Sequence, residues 1–226
     1  MKFMFVLLIG FLLGACSAKK DADKVADAQA CLNSSTQATA MDCVSKVDGV
    51  ETAAAYTVRC AAIFIRQGFS QPAFVAQAAT QIKSGSGSSS TTAVMEAFEF
   101  RALSTLTENY NQSQTALDYC SRSSSKGLSF LATTASLATT SKYLTSVVSG
   151  CSSSADTATQ LACLKNANDT AADTAVGTIV SGAYATNCSG AQAGANQALC
   201  DQFTTATSTC APTDYACIGA KFLDSY

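Results

Sequence analysis

The residues best placed to do chemistry in this chain are its cysteines. Ten of them, Cys31, Cys43, Cys60, Cys120, Cys151, Cys163, Cys188, Cys200, Cys210 and Cys217, are spread over the body of the sequence, and an eleventh, Cys16, stands near the start. Zinc sites and dithiol redox centres favour close Cys-x-x-Cys pairs, and zinc also favours histidine. The chain has neither that spacing nor any histidine. The lack of histidine also removes Ser-His-Asp triads, Cys-His dyads and the usual haem ligand. No metal or cofactor is therefore expected. An even set of well-separated cysteines reads instead as a disulfide framework, formed outside the reducing cytoplasm.

Ten cysteines allow hundreds of pairings, and the spacing narrows them. Cys31 and Cys43, Cys151 and Cys163, and Cys188 and Cys200 are each twelve positions apart. Each pair begins where a helix-compatible stretch ends, after residues such as Gly150 or Asn187 that suit a left-handed C-cap. A Ser/Thr/Asp-rich turn follows and offers N-caps to a second helix. Twelve residues of unbroken helix would hold the two backbones about 18 Å apart, whereas a disulfide needs Cα atoms within about 7 Å. Local pairing thus demands a reversal, and the product is a helical hairpin stapled near its bend. Cys210–Cys217 is a shorter version around Ala211-Pro212-Thr213-Asp214, and elimination leaves Cys60–Cys120 as the long-range link. A framework with different pairing stays open at this level.

The elements that position these cysteines read as helices. Lys20, Asp23, Lys24 and Asp27 alternate in sign at helical spacing within residues 17–30. Tyr56, Cys60, Ile63 and Phe64 share a face within 50–67, and Pro72 suits the first turn of a helix reaching about Lys83. Met95, Phe98, Ala102, Leu106 and Tyr110 repeat at three and four, as do Phe130, Thr134, Leu137, Ser141, Leu144 and Val148. Residues 84–90, Ser-Gly-Ser-Gly-Ser-Ser-Ser, form a flexible low-complexity loop. Alternating strand patterns with hairpin turns are missing. The expected fold is all-α, a disulfide-stapled array of helical hairpins over 31–226 with no significant sheet. Phe64, Phe69, Phe74, Phe98, Phe100 and Phe130 are its expected aromatic core.

The first eighteen residues have a different character. Lys2 precedes an unbroken apolar run from Phe3 to Leu13, followed by Gly14, Ala15 and Cys16. That order is the signature of an export signal. The run to Ala15 spans about 20 Å as helix against roughly 30 Å of hydrocarbon, too short to cross comfortably. Leu13-Gly14-Ala15-Cys16 resembles the lipobox of bacterial lipoproteins. The resemblance implies cleavage after Ala15, diacylglycerol on the Cys16 sulfur and usually a further acyl group, such as palmitate, on the new amino terminus. It also implies that residues 1–15 are removed and that 16–30 form a lipid-anchored segment leading into the domain. Ser17 is not the aspartate that retains such proteins at the inner membrane, so an outer-membrane destination is favoured.

Composition limits partners. Charged residues make up 13% of the chain and the formal net charge is −2. Arginine occurs only at 59, 66, 101 and 122, without a basic run, so nucleic acid is not an expected partner. Glu96 and Glu99 could form a carboxylate pair, but di-metal helical sites also use histidine, and a solvated face is the expectation. Asp169 and Asp173 read as an exposed helix start. The 84–90 glycines lack the lysine of a phosphate loop. Asn33-Ser-Ser and Asn111-Gln-Ser match a glycosylation acceptor that carries little weight in bacteria. These features point to a membrane-anchored envelope protein with a structural or protein-interaction role. The alternative is a carrier that holds a small apolar ligand between helices.

Overall fold

The computed structural model describes residues 20–70, 89–153, 155–188 and 197–226. Cys16 and the signal segment, Phe74, the helix expected over 72–83 and loop residues 84–88 lie outside them. Helix α1 covers 20–33, and a 3-10 helix follows at Ala40–Val47. Then come α2 (Ala53–Arg66), α3 (Ser89–Phe98), α4 (Leu106–Ser121), α5 (Lys126–Val147), α6 (Thr157–Ala167) and α7 (Thr170–Ala183). A π-turn at Tyr184–Cys188 leads to α8 (Gln197–Ser208) and α9 (Tyr215–Leu223). Among the described residues there is no strand, so the fold is all-α.

Helix starts follow side-chain capping. Thr52, Ser125, Asp156, Asp169 and Asp214 each accept a backbone N–H in the first turn of the helix they precede. Such caps satisfy donors that have no intrahelical partner. At α4, Thr105 and Glu108 form a reciprocal capping box. The hydroxyls of Ser104 and Thr105 hold the Glu108 carboxyl below its ordinary range.

Helix α5 is the hub. It packs against α3, α4, α6 and α7, and its buried positions lie all around the helix. Small residues make this possible: Ala132, Thr133, Ala135, Ser136, Ala138, Thr139 and Ser141 are all buried. Their hydroxyls are accommodated locally. Thr133 donates to the Ser129 carbonyl at 3.0 Å and Ser141 to that of Leu137 at 2.8 Å. Gln114 of α4 donates to the Ser136 and Thr140 hydroxyls across the helix interface.

The periodicity of Met95 to Tyr110 does not form one helix. The chain leaves helical geometry after Phe98 and resumes at Leu106. Gln67 explains the break. Its carbonyl accepts from the backbone N–H groups of Arg101 and Ala102 at 3.1 and 3.0 Å. Its amide donates to Asn109 and Gln112, and Asn109 in turn binds both the N–H and the carbonyl of Leu103. Phe100 is thereby held in the core, where its ring meets Phe64 and Phe69 edge-on. Two other expectations also shift. Ser89 and Ser90 are the first residues of α3 rather than loop. Gly150 adopts the expected left-handed conformation, φ 88°, but the left-handed asparagine is Asn168, not Asn187.

At the C-terminal end, α7 and α9 cross with their backbones in contact. An ideal Cβ placed on Gly177 would lie 1.8 Å from the Tyr215 carbonyl oxygen, and one on Gly219 would lie 1.8 Å from that of Asp173. No side chain fits there. The crossing is possible only because both positions are glycine.

Candidate functional site

Five disulfides join Cys31–Cys43, Cys60–Cys120, Cys151–Cys163, Cys188–Cys200 and Cys210–Cys217, with Cα separations from 5.1 to 5.8 Å. These are the pairs at which the spacing argument arrives. Each short bridge sits where the chain reverses. Cys31 lies in the last turn of α1 and Cys43 in the 3-10 helix. Cys151 follows α5 and Cys163 lies on α6, Cys188 ends the π-turn and Cys200 lies on α8. Cys60–Cys120 differs in kind. Both residues are fully buried, and the bridge ties α2 to α4 across sixty positions. By the chain-entropy relation, a loop of that size contributes about 4 kcal/mol, against about 3 kcal/mol for the short ones.

Beside Cys60–Cys120 lies the richest group of charged and aromatic side chains. Arg59, buried, donates to the Val47 carbonyl at 2.8 Å and pairs with Glu51 at 3.7 Å. The Arg122 guanidinium lies 4.0 Å from the Tyr56 ring centre and also reaches Glu51. The Tyr56 hydroxyl donates to Glu51, and that bond holds its pKa above the ordinary range. Every member is paired with another or with backbone. The cluster joins α2, α4 and the loop before α2.

Glu96 and Glu99 separate in the structure. Glu96 is half-buried, whereas Glu99 is buried and binds Lys142 of α5 at 2.6 Å, so the expected solvated face is not what Glu99 occupies. The break in helical geometry after Phe98 turns Glu99 inward. Asp169 is the N-cap of α7, as a helix start requires. Asp173 is half-buried, and burial, then Asp169 and Asp224, push its carboxyl pKa up. Among the described residues no cluster of histidine, cysteine or acidic side chains could hold a metal ion.

A groove of about 320 Å³ opens between α1 and α2. Leu32 and Val58, both buried, line it together with the half-exposed Ala61 and Ile65. Gln29, Asn33 and Thr57 supply its polar edge. Sequence periodicity pointed to helices here but gave no sign of a groove between them. Among the described residues no helix is long and apolar enough to cross a membrane. The chain matches no protein-family model, no curated protein and no solved structure.

Proposed function

We propose that this protein is an envelope lipoprotein, tethered through lipid on Cys16, whose cross-linked helical body serves as a structural or protein-interaction module. One observation carries the reading: ten of the eleven cysteines are closed into five disulfides, and the remaining one is Cys16 of the lipobox-like Leu13-Gly14-Ala15-Cys16. Extensive bridging suits an oxidising, extracytoplasmic setting. Diacylglycerol brings two chains to one sulfur, enough for stable anchoring. Arg59 and Glu99 are each committed to an ion pair that links elements of the fold. An outer-membrane location belongs to the same proposal, through Ser17.

The test is detergent-phase partitioning of wild-type protein and Cys16→Ser, together with purification from native envelope. Wild type should enter the detergent phase and Cys16→Ser the aqueous phase, and a protein partner should co-purify stoichiometrically. Equal partitioning would remove the anchor, and stoichiometric lipid without protein would displace the interaction role. The α1–α2 groove favours a second reading, in which the body also carries an apolar ligand; its volume lies at the lower end of the range for ligand sites.

A further inference from the structure

The groove between α1 and α2 has no charged residue in its lining. The ionisable residues of α1, Lys20, Asp21, Asp23, Lys24 and Asp27, all precede it, and none follows from Ala28 to Asn33. On α2 the charged residues are Arg59, which is buried and already bonded to the Val47 carbonyl and Glu51, and the half-exposed Arg66, which ends the helix after Ile65. A ligand there meets aliphatic carbon from Leu32, Val58, Ala61 and Ile65, edged by uncharged polar groups. That lining offers no charge to select an ion, a nucleotide or a charged peptide. It suits hydrocarbon.

We propose that the groove receives one acyl chain of the lipid carried on Cys16 of the same molecule. The inference rests on the lipid-anchor reading above. Chain lengths support this occupant. The four residue steps from Cys16 to Lys20 reach about 14 Å when extended. The descent along α1 from Lys20 to Gln29, the first residue of the groove, is also about 14 Å at the helical rise. The two lengths match, so the stretch from Cys16 to Lys20 is long enough for the Cys16 lipid to reach the groove. Tethering then holds the chain at a millimolar effective concentration, which a free lipid must supply from solution. The side-chain amides of Gln29 and Asn33 are donors suited to the carbonyls of the lipid linkage. Each methylene held in the groove is withdrawn from the bilayer, and the loss of one membrane-buried methylene lowers membrane affinity by a factor of about four. The remaining acyl chains stay in the membrane, so the groove weakens the tether in a graded way without abolishing it.

The experiment uses the full-length protein made in bacteria fed a photoactivatable fatty acid. After illumination, the purified protein is digested and its cross-linked peptides are read by mass spectrometry. Cross-links from the Cys16 lipid to peptides holding Gln29–Asn33 and Thr57–Ile65 are expected. Ala61→Phe, which fills the groove, should reduce them at least fivefold. Thr57→Lys, at a half-exposed edge position whose hydroxyl bonds only to its own helix, serves as a second variant that leaves the core untouched and should act in the same direction. An acylated Cys16 whose cross-links fall only on bilayer lipid or other peptides overturns this proposal and leaves the anchor standing. Absence of acyl label on Cys16 overturns both. Equal cross-linking of the groove in Cys16→Ser would show that it takes free membrane lipid, and the same-molecule assignment would fall.

Discussion

The helix pairs at the two ends of the chain are built on opposite principles. At the C-terminal end, α7 and α9 meet at Gly177 and Gly219 with no room for a single Cβ. At the N-terminal end, α1 and α2 pack in one core cluster that includes Ala28, Leu32, Val58 and Ala62, but leave a groove of about 320 Å³ beside it. Both pairs bury apolar residues and both sit beside disulfides, so neither hydrophobicity nor cross-linking explains the difference. Side-chain size at the contact does. Glycine lets backbones touch and spends the whole interface on packing. In the other pair Leu32, Val58 and Ile65 line a groove that the packing leaves unfilled. The closed end is therefore assigned to stability, and the open end is where binding is proposed.

The largest effect should come from Gly177→Ala. The added methyl would meet backbone, not a rotatable side chain, so the helices must separate. A loss of more than about 4 kcal/mol in denaturant unfolding is expected, above the usual cost of overpacking. A loss below about 1 kcal/mol would mean that the crossing is not in contact. Replacing Cys60 and Cys120 together by alanine should cost about 4 kcal/mol, and removing Cys31–Cys43 about 3 kcal/mol. If chemical denaturation ranks the two the other way, the long-range tie is not the main constraint on the unfolded chain. Gln67→Leu should cost about 2 kcal/mol, because the part-buried N–H groups of Arg101 and Ala102 lose their shared acceptor and Asn109 and Gln112 lose a donor. Hydrogen exchange should then accelerate over 99–105 before the rest of the protein; unchanged exchange there would contradict the role given to Gln67.

Ala61→Leu supplies the counterpart to Gly177→Ala at the open end. With space to receive the larger side chain, its effect on unfolding should stay within about 0.5 kcal/mol. A cost like that at Gly177 would show the groove to be closed in solution. The smallest effect concerns pH. Asp173 has its pKa raised in the folded protein, chiefly by burial. A raised acid favours folding when protonated, so this contribution is lost as pH climbs from the ordinary aspartate range through the folded pKa. Asp173→Asn should accordingly be slightly more stable than wild type near neutrality, and the advantage should vanish in acid. Thermal melts at the two pH values check the sign.

How much of this was legible in the sequence depends on the range of the interaction concerned. The cysteine ladder announced itself because equal spacing beside cap-forming residues requires a reversal, and a reversal brings the sulfurs together. The caps at Asp156, Asp169 and Asp214 were readable because capping is decided within four residues. The interruption between Phe98 and Leu106 was not, since it depends on Gln67 acting from more than thirty positions away. Gly177 and Gly219 gave little warning, because a glycine within a helix reads as a weak position until its partner helix is known. The burial of Glu99 was hidden for the same reason, its lysine being forty-three positions distant. As for the site, the composition of the groove is visible in the residues, but its width depends on how α1 and α2 are spaced.

Intact mass spectrometry of unreduced protein taken from native envelopes tests the central claim most directly. The expected species begins at Cys16, carries the mass of diacylglycerol and further acylation, and lacks ten protons relative to the free thiols. A species that retains Met1, carries no lipid and alkylates at every cysteine without reduction would contradict the account.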